Sequence, residues 1–249
     1  MLDCIAHGTI REIRLARPPV NALDPALLAA LADAFAPTAL ADVEGVVLSG
    51  GPKVFSAGLD VPHLLGLDRA GLSAAWSGFF AAARAIAQCP VPVVAAIGGH
   101  NPAGGCVLAL CCDYRVMARG PFRIGLNETQ VGLVVPEAIQ ALLRRVVGPH
   151  RAERLMVAGA MVEAEQAHAI GLVDELAEPE VVVEQALQWF AALAPLPREP
   201  LLATRAIARA DLHAALAGFS AEQLAGFVEQ WYAASTQQAL QALVSRLRK

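Results

Sequence analysis

Two segments of the sequence share one form, in which a short apolar run leads into a loop of small residues and then into a helical pattern. They are residues 46–60 and residues 93–106. The same order of strand, loop and helix recurs through residues 114–118, 124–126 and 136–147. Apolar strands that alternate with helical segments are typical of sheets whose strands are joined by helical crossovers. The repeated pattern therefore predicts an α/β core.

The carboxyl-terminal part of the sequence differs from the rest, because its pattern is almost entirely helical. Ser220 and Gln223 are spaced as a capping box at the start of the last helix. The apolar stripe of that helix faces either the core or a neighbouring subunit. We predict an α/β core over residues 1–190 and a helical region over residues 191–249. The elements predicted near and beyond that boundary are a strand at 172–176 and helices at 181–194, 200–208 and 221–247.

The composition is that of a globular protein with a large core. The chain of 249 residues is 56% hydrophobic and 17% charged, with a formal net charge of -4. Disordered chains have low hydrophobicity and high net charge, and nucleic-acid-binding chains usually carry a basic stripe. No run of about 18 apolar residues is present, and residues 1–11 lack the basic start and apolar block of an export signal. We therefore expect a folded protein that binds neither nucleic acid nor membrane.

The five cysteines indicate a reducing compartment. Their odd number and the apolar surroundings of Cys106, Cys111 and Cys112 are typical of small buried thiols. The clustered pairs that hold zinc are absent from the sequence, because Cys4 and Cys89 stand alone. We expect a cytoplasmic protein without a metal site.

The glycines of the second segment permit two interpretations. Gly98, Gly99, Gly104 and Gly105 allow backbone N–H groups to approach an anionic ligand, and a helix start adds its positive dipole at the same point. They equally permit tight turns and close packing of a helix on the sheet. Neither loop ends in the Gly-Lys-Ser/Thr of a phosphate loop, and the glycine spacing is not that of a dinucleotide-binding motif. Two N–H donors that converge on one oxygen would form an oxyanion hole.

Three motifs occur in the order and at the spacing of a known family. They are Phe55-Ser56-Ala57-Gly58-Leu59-Asp60, Pro102-Ala103-Gly104-Gly105-Cys106 and Gly125-Leu126-Asn127-Glu128-Thr129-Gln130-Val131-Gly132. With these motifs the chain resembles the crotonase (enoyl-CoA hydratase/isomerase) superfamily, and within it the mitochondrial-type Δ3,Δ2-enoyl-CoA isomerases. The resemblance covers most of the chain. It implies a crotonase-like spiral of ββα turns and a C-terminal helical region that forms a homotrimer, often paired as a hexamer.

The resemblance also implies a site for an acyl-CoA thioester. The N–H groups of Leu59 and Gly104 would form the oxyanion hole for the thioester oxygen. Removal of an α-proton from a thioester gives an enolate, and preorganised donors stabilise its charge. Because CoA belongs to the substrate, no separate cofactor is expected. The residues implied to contact CoA or to orient the thioester are Ala57, Gly58, Asp60, Val61 and Asn127.

Glu128 is the leading candidate for the catalytic base. It lies in an otherwise uncharged run, residues 124–136, and a carboxylate in an apolar cleft has a raised pKa that suits proton transfer. The other interpretation is that Glu128 caps a turn together with Asn127 and Thr129. Family hydratases carry a further glutamate on the helix after the second loop, where this chain has Val107. A single carboxylate favours an isomerase, in which Glu128 moves a proton from C2 to C4 of a 3-enoyl-CoA.

Glu137 is a possible second carboxylate. It follows Pro136, where by resemblance another branch of enoyl-CoA isomerases keeps its base. A glutamate in the first turn of a helix is also explained by its favourable interaction with the helix dipole. If both glutamates line the pocket, they can divide acid and base roles and allow hydration. The alternatives to an isomerase are therefore a hydratase, another crotonase reaction such as decarboxylation or thioester hydrolysis, and a non-catalytic CoA-binding protein.

Overall fold

A six-stranded sheet forms the centre of the fold in the computed structural model, which describes residues 1–247. The strands are β1 (Leu2–His7), β2 (Ile10–Leu15), β3 (Gly45–Ser49), β4 (Val93–Ile97), β5 (Asn101–Pro102), β6 (Tyr114–Ala118), β7 (Arg123–Gly125), β8 (Val162–Glu163) and β9 (Glu175–Ala177). The large sheet has the order β1-β2-β3-β4-β6-β9, in which β1 pairs antiparallel with β2 and the other pairs are parallel. A second sheet has the order β5-β7-β8. Its strands β5 and β7 lead towards Gly104 and Glu128, the two residues most important for the predicted site.

Helices cover the large sheet and form the carboxyl-terminal region. They are α1 (Pro25–Ala34), α2 (Val61–Leu64), α3 (Arg69–Ala87), α4 (Gly104–Leu110), α5 (Glu137–Val147), α6 (Pro149–Ala158), α7 (Ala164–Ala169), α8 (Val182–Leu193), α9 (Arg198–Ala208), α10 (Ala210–Ala217), α11 (Ala221–Trp231) and α12 (Ala234–Leu247). Short 3-10 turns lie at Pro37–Leu40, Glu128–Val131 and Pro179–Val181. None of these helices, within the part of the chain that the structure describes, combines the length and apolar character that crossing a bilayer needs.

The central strands are buried along their whole length, as their sequences require. Strands β3 and β4 are apolar runs without alternation, and every residue in them is buried. Such runs are typical of parallel strands with helices on both faces. Helix α1 begins as predicted, because the Asp24 side chain accepts the N–H of Leu27 at 2.8 Å and Pro25 is the first helical residue. The predicted α/β class with C-terminal helices is confirmed.

The last predicted helix is wrong in its length. Residues 221–247 form two helices, α11 and α12, because the chain bends at Tyr232. The Tyr232 hydroxyl donates to the carbonyl oxygen of Leu67 at 2.7 Å, a long-range contact that holds the bend. The predicted capping box is confirmed, since Ser220 and Gln223 exchange bonds of 2.9 and 3.2 Å between their N–H groups and side chains. The sequence pattern also does not predict α6, α7 and α10. The last predicted strand, 172–176, begins three residues before β9 and ends one residue before the end of β9.

The C-terminal helices belong to the core of their own chain. Phe227 and Trp231 of α11 and Leu240 of α12 are buried against the main hydrophobic cluster. This contact favours the first of the two interpretations of the apolar stripe. The predicted domain boundary after residue 190 falls inside α8, whose Phe190 packs on the sheet, and residues 248–249 of the predicted helical region lie outside the described residues.

A buried ion network fastens the helical region to the sheet. Asp113, directly before β6, pairs with Arg205 at 2.8 Å and with Arg209 at 2.9 Å. Its carboxylate also accepts the backbone N–H of Val93 at 2.8 Å. The network therefore links α9 and the junction of α9 with α10 to strand β4.

Candidate active site

The first loop is held by two buried polar side chains. The Ser56 hydroxyl donates to the carbonyl oxygen of Asn21 at 2.8 Å and accepts the N–H of Gly58 at 3.1 Å. The Asn21 amide donates to the carbonyl oxygen of Phe55 at 3.0 Å. Asn21 and Gly58 both have positive φ, +50° and +81°, a conformation that is least costly for glycine and tolerated by asparagine. These bonds set the direction of the peptide that follows Gly58.

The N–H of Leu59 is the first free donor of the site. Leu23 donates to the Gly58 carbonyl oxygen at 2.8 Å and accepts the N–H of Asp60 at 3.1 Å. Leu59 lies between Gly58 and Asp60 and pairs with Leu23 in a parallel bridge. Its own N–H therefore points away from Leu23. Within residues 1–247 it donates to no other protein group. The loop therefore presents one backbone donor to a ligand.

The N–H of Gly104 is the second free donor. Gly104 is the first residue of α4, and the first N–H groups of a helix have no acceptor within that helix. Ala103 precedes it with φ +47° and ψ -120°, and its N–H donates to the Gly125 carbonyl oxygen at 2.8 Å. A non-glycine residue held in such a conformation typically costs about 1–3 kcal/mol, and strain of this kind is concentrated at functional sites. In the described part of the chain the Gly104 N–H has no acceptor.

The two free donors lie side by side. A Cβ on Gly58 would lie 3.1 Å from the Gly104 nitrogen, and one on Gly104 would lie 3.4 Å from the Leu59 nitrogen. The side chains of Leu23 and Phe79 would each approach a Cβ on Gly104 to 3.3 Å, so they form an apolar wall. Two adjacent N–H groups in an apolar surrounding can stabilise negative charge that develops on one oxygen.

Glu128 is a buried carboxylate that follows strand β7, whose parallel partner β5 leads into Gly104. It begins the 3-10 turn Glu128–Val131, its residue exposure is 7%, and its Oε2 atom has no hydrogen-bond partner among the described residues. Burial raises the pKa of Glu128 from 4.5 to about 7, and a hydrogen bond from its own N–H opposes that rise. A pKa near neutrality suits a general base.

A second buried carboxylate, Glu12, differs from Glu128 in that its oxygens have several hydrogen-bond partners. Glu12 accepts hydrogen bonds from Ser49 at 2.6 Å and Arg14 at 2.9 Å, and it bonds the His7 ring at 2.9 Å. Burial acts to raise the pKa of Glu12, but these three partners together hold it below 4.5. Among the acidic side chains buried within residues 1–247, Glu128 alone lacks such partners.

The surroundings of Val107 and Glu137 bear on whether a second carboxylate lies near Glu128. Val107 is completely buried in α4, where it can neither accept nor donate a proton. Glu137 is the first residue of α5, and its side chain is exposed. The structure thus gives the possible second carboxylate an environment unlike that of Glu128.

The predicted substrate-binding residues have different surroundings. Ala57 is exposed, and Gly58 is buried against Gly104. Asp60 pairs with Arg17 at 2.8 Å and caps α2 by accepting the His63 N–H at 3.1 Å, so its carboxylate anchors the loop. Val61, the first residue of α2, and Asn127, directly before Glu128, are both half-buried.

Sequence reasoning missed Asn21 and Ala103, which fix the directions of the two donors. Asparagine is one of the non-glycine residues that most readily adopt positive φ, so Asn21 was a usable signal of a local turn, although nothing in the sequence links it to the first loop, whose Phe55 is 34 residues further along the chain. The sequence carries no such signal for Ala103, because alanine rarely adopts this conformation. Among residues 1–247 no group of three or more His, Cys, Asp and Glu side chains has the arrangement of a metal site.

The chain is similar to known proteins over most of its length. The chain matches the family model described as enoyl-CoA hydratase/isomerase over residues 6–248. It is 32% identical over 252 residues to human "Enoyl-CoA delta isomerase 1, mitochondrial", across 98% of this chain and 82% of the relative. It is 36% identical over 195 residues to a "Probable enoyl-CoA hydratase" of Mycobacterium avium, across 77% of this chain and 75% of the relative. The crystal structure of human mitochondrial delta3-delta2-enoyl-CoA isomerase aligns with a TM-score of 0.93 at 31% identity, over 100% of this chain and 97% of that one. The predicted crotonase-like spiral is thereby confirmed.

Proposed function

Because the chain belongs to the enoyl-CoA hydratase/isomerase family, we propose that it shifts the double bond of an enoyl-CoA thioester from Δ3 to Δ2. The observation that carries the proposal is that Glu128 is, within residues 1–247, the one buried carboxylate with an oxygen, Oε2, that has no hydrogen-bond partner, in a fold that also presents two adjacent free N–H groups. An isomerisation of this kind needs one group that takes and returns a proton, and donors for the intermediate charge.

The proposed reaction uses Glu128 as a proton shuttle. Its carboxylate takes a proton from C2 of the 3-enoyl thioester, and the electron pair passes to the thioester oxygen as a dienolate. The N–H groups of Leu59 and Gly104 stabilise the negative charge on that oxygen. The protonated Glu128 then returns the proton at C4, and the double bond forms between C2 and C3. The product has the composition of the substrate, so neither water nor a separate cofactor takes part.

The nature of the site supports an isomerase rather than a hydratase. Addition of water needs a group that holds and activates it, and two carboxylates usually share that work in family hydratases. Val107 is apolar and buried, and Glu137 is exposed. Glu128 therefore has no second carboxylate with a comparable environment.

The walls of the site support a fatty acyl substrate. Leu23 and Phe79 flank Gly104, and the Phe79 ring meets the edge of Trp76 at 5.6 Å between centroids. Trp76 in turn lies 4.1 Å from the ring of Phe227 in α11. An apolar chain that leaves the oxyanion hole on this side would contact aromatic rings. Assembly as a homotrimer or hexamer remains a prediction from the resemblance, and a cytoplasmic location remains a prediction from the cysteines.

The test is an assay of two substrates with two matched variants. Purified protein is incubated with 3-hexenoyl-CoA and separately with crotonyl-CoA, and the absorbance of the conjugated enoyl thioester is followed. We expect conjugation of 3-hexenoyl-CoA without hydration of crotonyl-CoA. Glu128→Gln should abolish the reaction, and Glu137→Gln should leave it unchanged.

Each other outcome has a defined meaning. Rapid hydration of crotonyl-CoA would refute the single-base isomerase and point to Glu137 as a second catalytic carboxylate. Full activity of Glu128→Gln would remove Glu128 from the mechanism. Silence on both substrates, with a folded protein, would favour another crotonase reaction or a CoA-binding role.

A further inference from the structure

The Oε2 atom of the Glu128 carboxylate has no hydrogen-bond partner among the described residues. The turn that carries Glu128 is instead held by hydrogen bonds of its backbone and of the neighbouring side chains. On one side the turn contacts α6. The Thr129 hydroxyl donates to the carbonyl oxygen of Met156 at 3.1 Å. A Cβ on Gly159 would lie only 2.6 Å from the Thr129 Oγ1 atom, so the contact is close. The contact with α6 therefore fixes Thr129, the residue that follows Glu128.

On the other side the turn contacts α12 through a single peptide unit. The Thr236 hydroxyl donates to the carbonyl oxygen of Gly132 at 2.9 Å. The N–H of the same peptide unit belongs to Leu133, and it donates to the carbonyl oxygen of Glu128 at 3.0 Å. The peptide between Gly132 and Leu133 thus joins a side chain of the C-terminal helix to the backbone of the base.

The packing around this peptide shows that α12 lies directly on the turn. A Cβ on Gly132 would be 3.1 Å from the Cβ of Ala239, and Gly132 has φ +77°, a conformation that favours glycine. Thr236 is 3% exposed. A threonine hydroxyl in a helix usually bonds to its own helix or to water, whereas this one bonds to a different element. Hydrogen bonds in series through a peptide unit strengthen one another in a buried site.

We propose that Thr236 is a positioning residue for Glu128, acting through the peptide between Gly132 and Leu133. The inference rests on the proposed function, since it assigns a role in that same site. It gives α12 a catalytic purpose as well as a structural one, because the site is complete only when the C-terminal helix of the chain is docked on the turn. Thr236 does not touch the reacting atoms.

The activity test compares the wild type with three variants. Thr236→Val keeps the shape and removes the hydroxyl, Thr236→Ser keeps the hydroxyl, and Ser235→Ala changes an exposed neighbour on the same helix. We expect Thr236→Val to lower kcat for 3-hexenoyl-CoA about 3- to 10-fold, the range of one hydrogen bond, with KM unchanged within about twofold. Thr236→Ser should restore kcat, and Ser235→Ala should leave it unchanged. If the valine variant does not fold, Thr236→Ala removes the hydroxyl without a branched side chain.

A second measurement does not depend on the reaction. The carboxyl group of Glu128 is titrated by 13C NMR in the wild type and in Thr236→Val, with Glu128→Gln to assign the signal. Burial holds the pKa of Glu128 at about 7, and loosening of the turn should lower it towards 4.5. Cys106 of α4 is the titratable neighbour, and the contacts from α6 and α12 named above are uncharged.

The two measurements separate the two ideas. If the wild type does not isomerise but the titration still shifts in Thr236→Val, the proposed function fails and the positioning role stands. If kcat and the titration are both unchanged in Thr236→Val, the positioning role is refuted whatever the reaction. A loss of kcat that Thr236→Ser does not restore would also refute it, because the hydroxyl would then not be the cause.

Discussion

Replacement of Glu128 by glutamine should stabilise the fold, and the gain should grow as the pH rises. The residue is 7% exposed, and its Oε2 atom has no partner within residues 1–247. Ionisation of such a group costs the folded state free energy that the unfolded state does not lose. Glutamine fills nearly the same volume without a charge. The wild type therefore carries a penalty that the variant lacks.

The size of the penalty follows from the pKa of Glu128, which burial raises from 4.5 to about 7. Below pH 4.5 the carboxyl is protonated in both states and contributes nothing. As the pH rises from 4.5 to about 7, the unfolded chain loses this proton and the folded chain keeps it, so the free energy of unfolding falls. Above about pH 7 the loss is complete at roughly 3 kcal/mol, since each pH unit between the two values corresponds to about 1.4 kcal/mol.

Urea unfolding at pH 5 and pH 8, followed by tryptophan fluorescence at one protein concentration, checks this prediction. The difference in unfolding free energy between Glu128→Gln and the wild type should increase by roughly 2 to 3 kcal/mol between these pH values. Glu137→Gln is the matched control, because it removes the same charge from an exposed position and should show no such increase. Equal pH dependence of Glu128→Gln and the wild type would mean that Glu128 titrates as a solvated glutamate, and the assignment of a buried base would fail.

Three further predictions concern catalysis and stability. The value of kcat/KM should fall about tenfold per pH unit below about pH 7, because only the ionised form of Glu128 can take a proton; a pH–rate profile that is flat from pH 5.5 to 8 would contradict this. Gly58→Ala should lower kcat about 100-fold or more, since its methyl group would lie 3.1 Å from the Gly104 nitrogen and its φ is +81°. Gly8→Ala is the control in the same assay, with φ +62° and open space, and it should retain activity. Asp113→Asn should lower the free energy of unfolding by about 3 kcal/mol, because the buried Arg209 and the half-buried Arg205 lose their shared carboxylate. Urea unfolding midpoints measure this, and a loss below about 1 kcal/mol would refute it.

The sequence predicted the central strands and the burial of Glu128 for the same reason. Strands β3 and β4 are continuous apolar runs, and Glu128 is the one charge in a long uncharged stretch. Both signals are local, and burial is their direct consequence. The donors of Leu59 and Gly104 were expected from the family resemblance, because a backbone N–H leaves no trace in the identity of its residue.

Other features depend on contacts between distant parts of the chain, and the sequence could not indicate them. The bend at Tyr232 is held by the carbonyl oxygen of Leu67, and Thr236 bonds to Gly132. Nothing in the pattern of residues 221–247 marks a break, since every turn of it is compatible with a helix. The positive φ of Ala103 is likewise imposed by the strand before it and the helix after it.

The two donors of the proposed oxyanion hole are main-chain groups, and this separates the proposed chemistry from the choice of substrate. Substitutions at Leu23 or Phe79 can widen or narrow the apolar wall, while the N–H groups of Leu59 and Gly104 are present whatever the side chains are. A protein of this design can evolve, or be engineered, towards acyl groups of different bulk without any change in the backbone groups proposed to stabilise the enolate. Substitutions of the surrounding side chains would then alter specificity and leave the two donors in place.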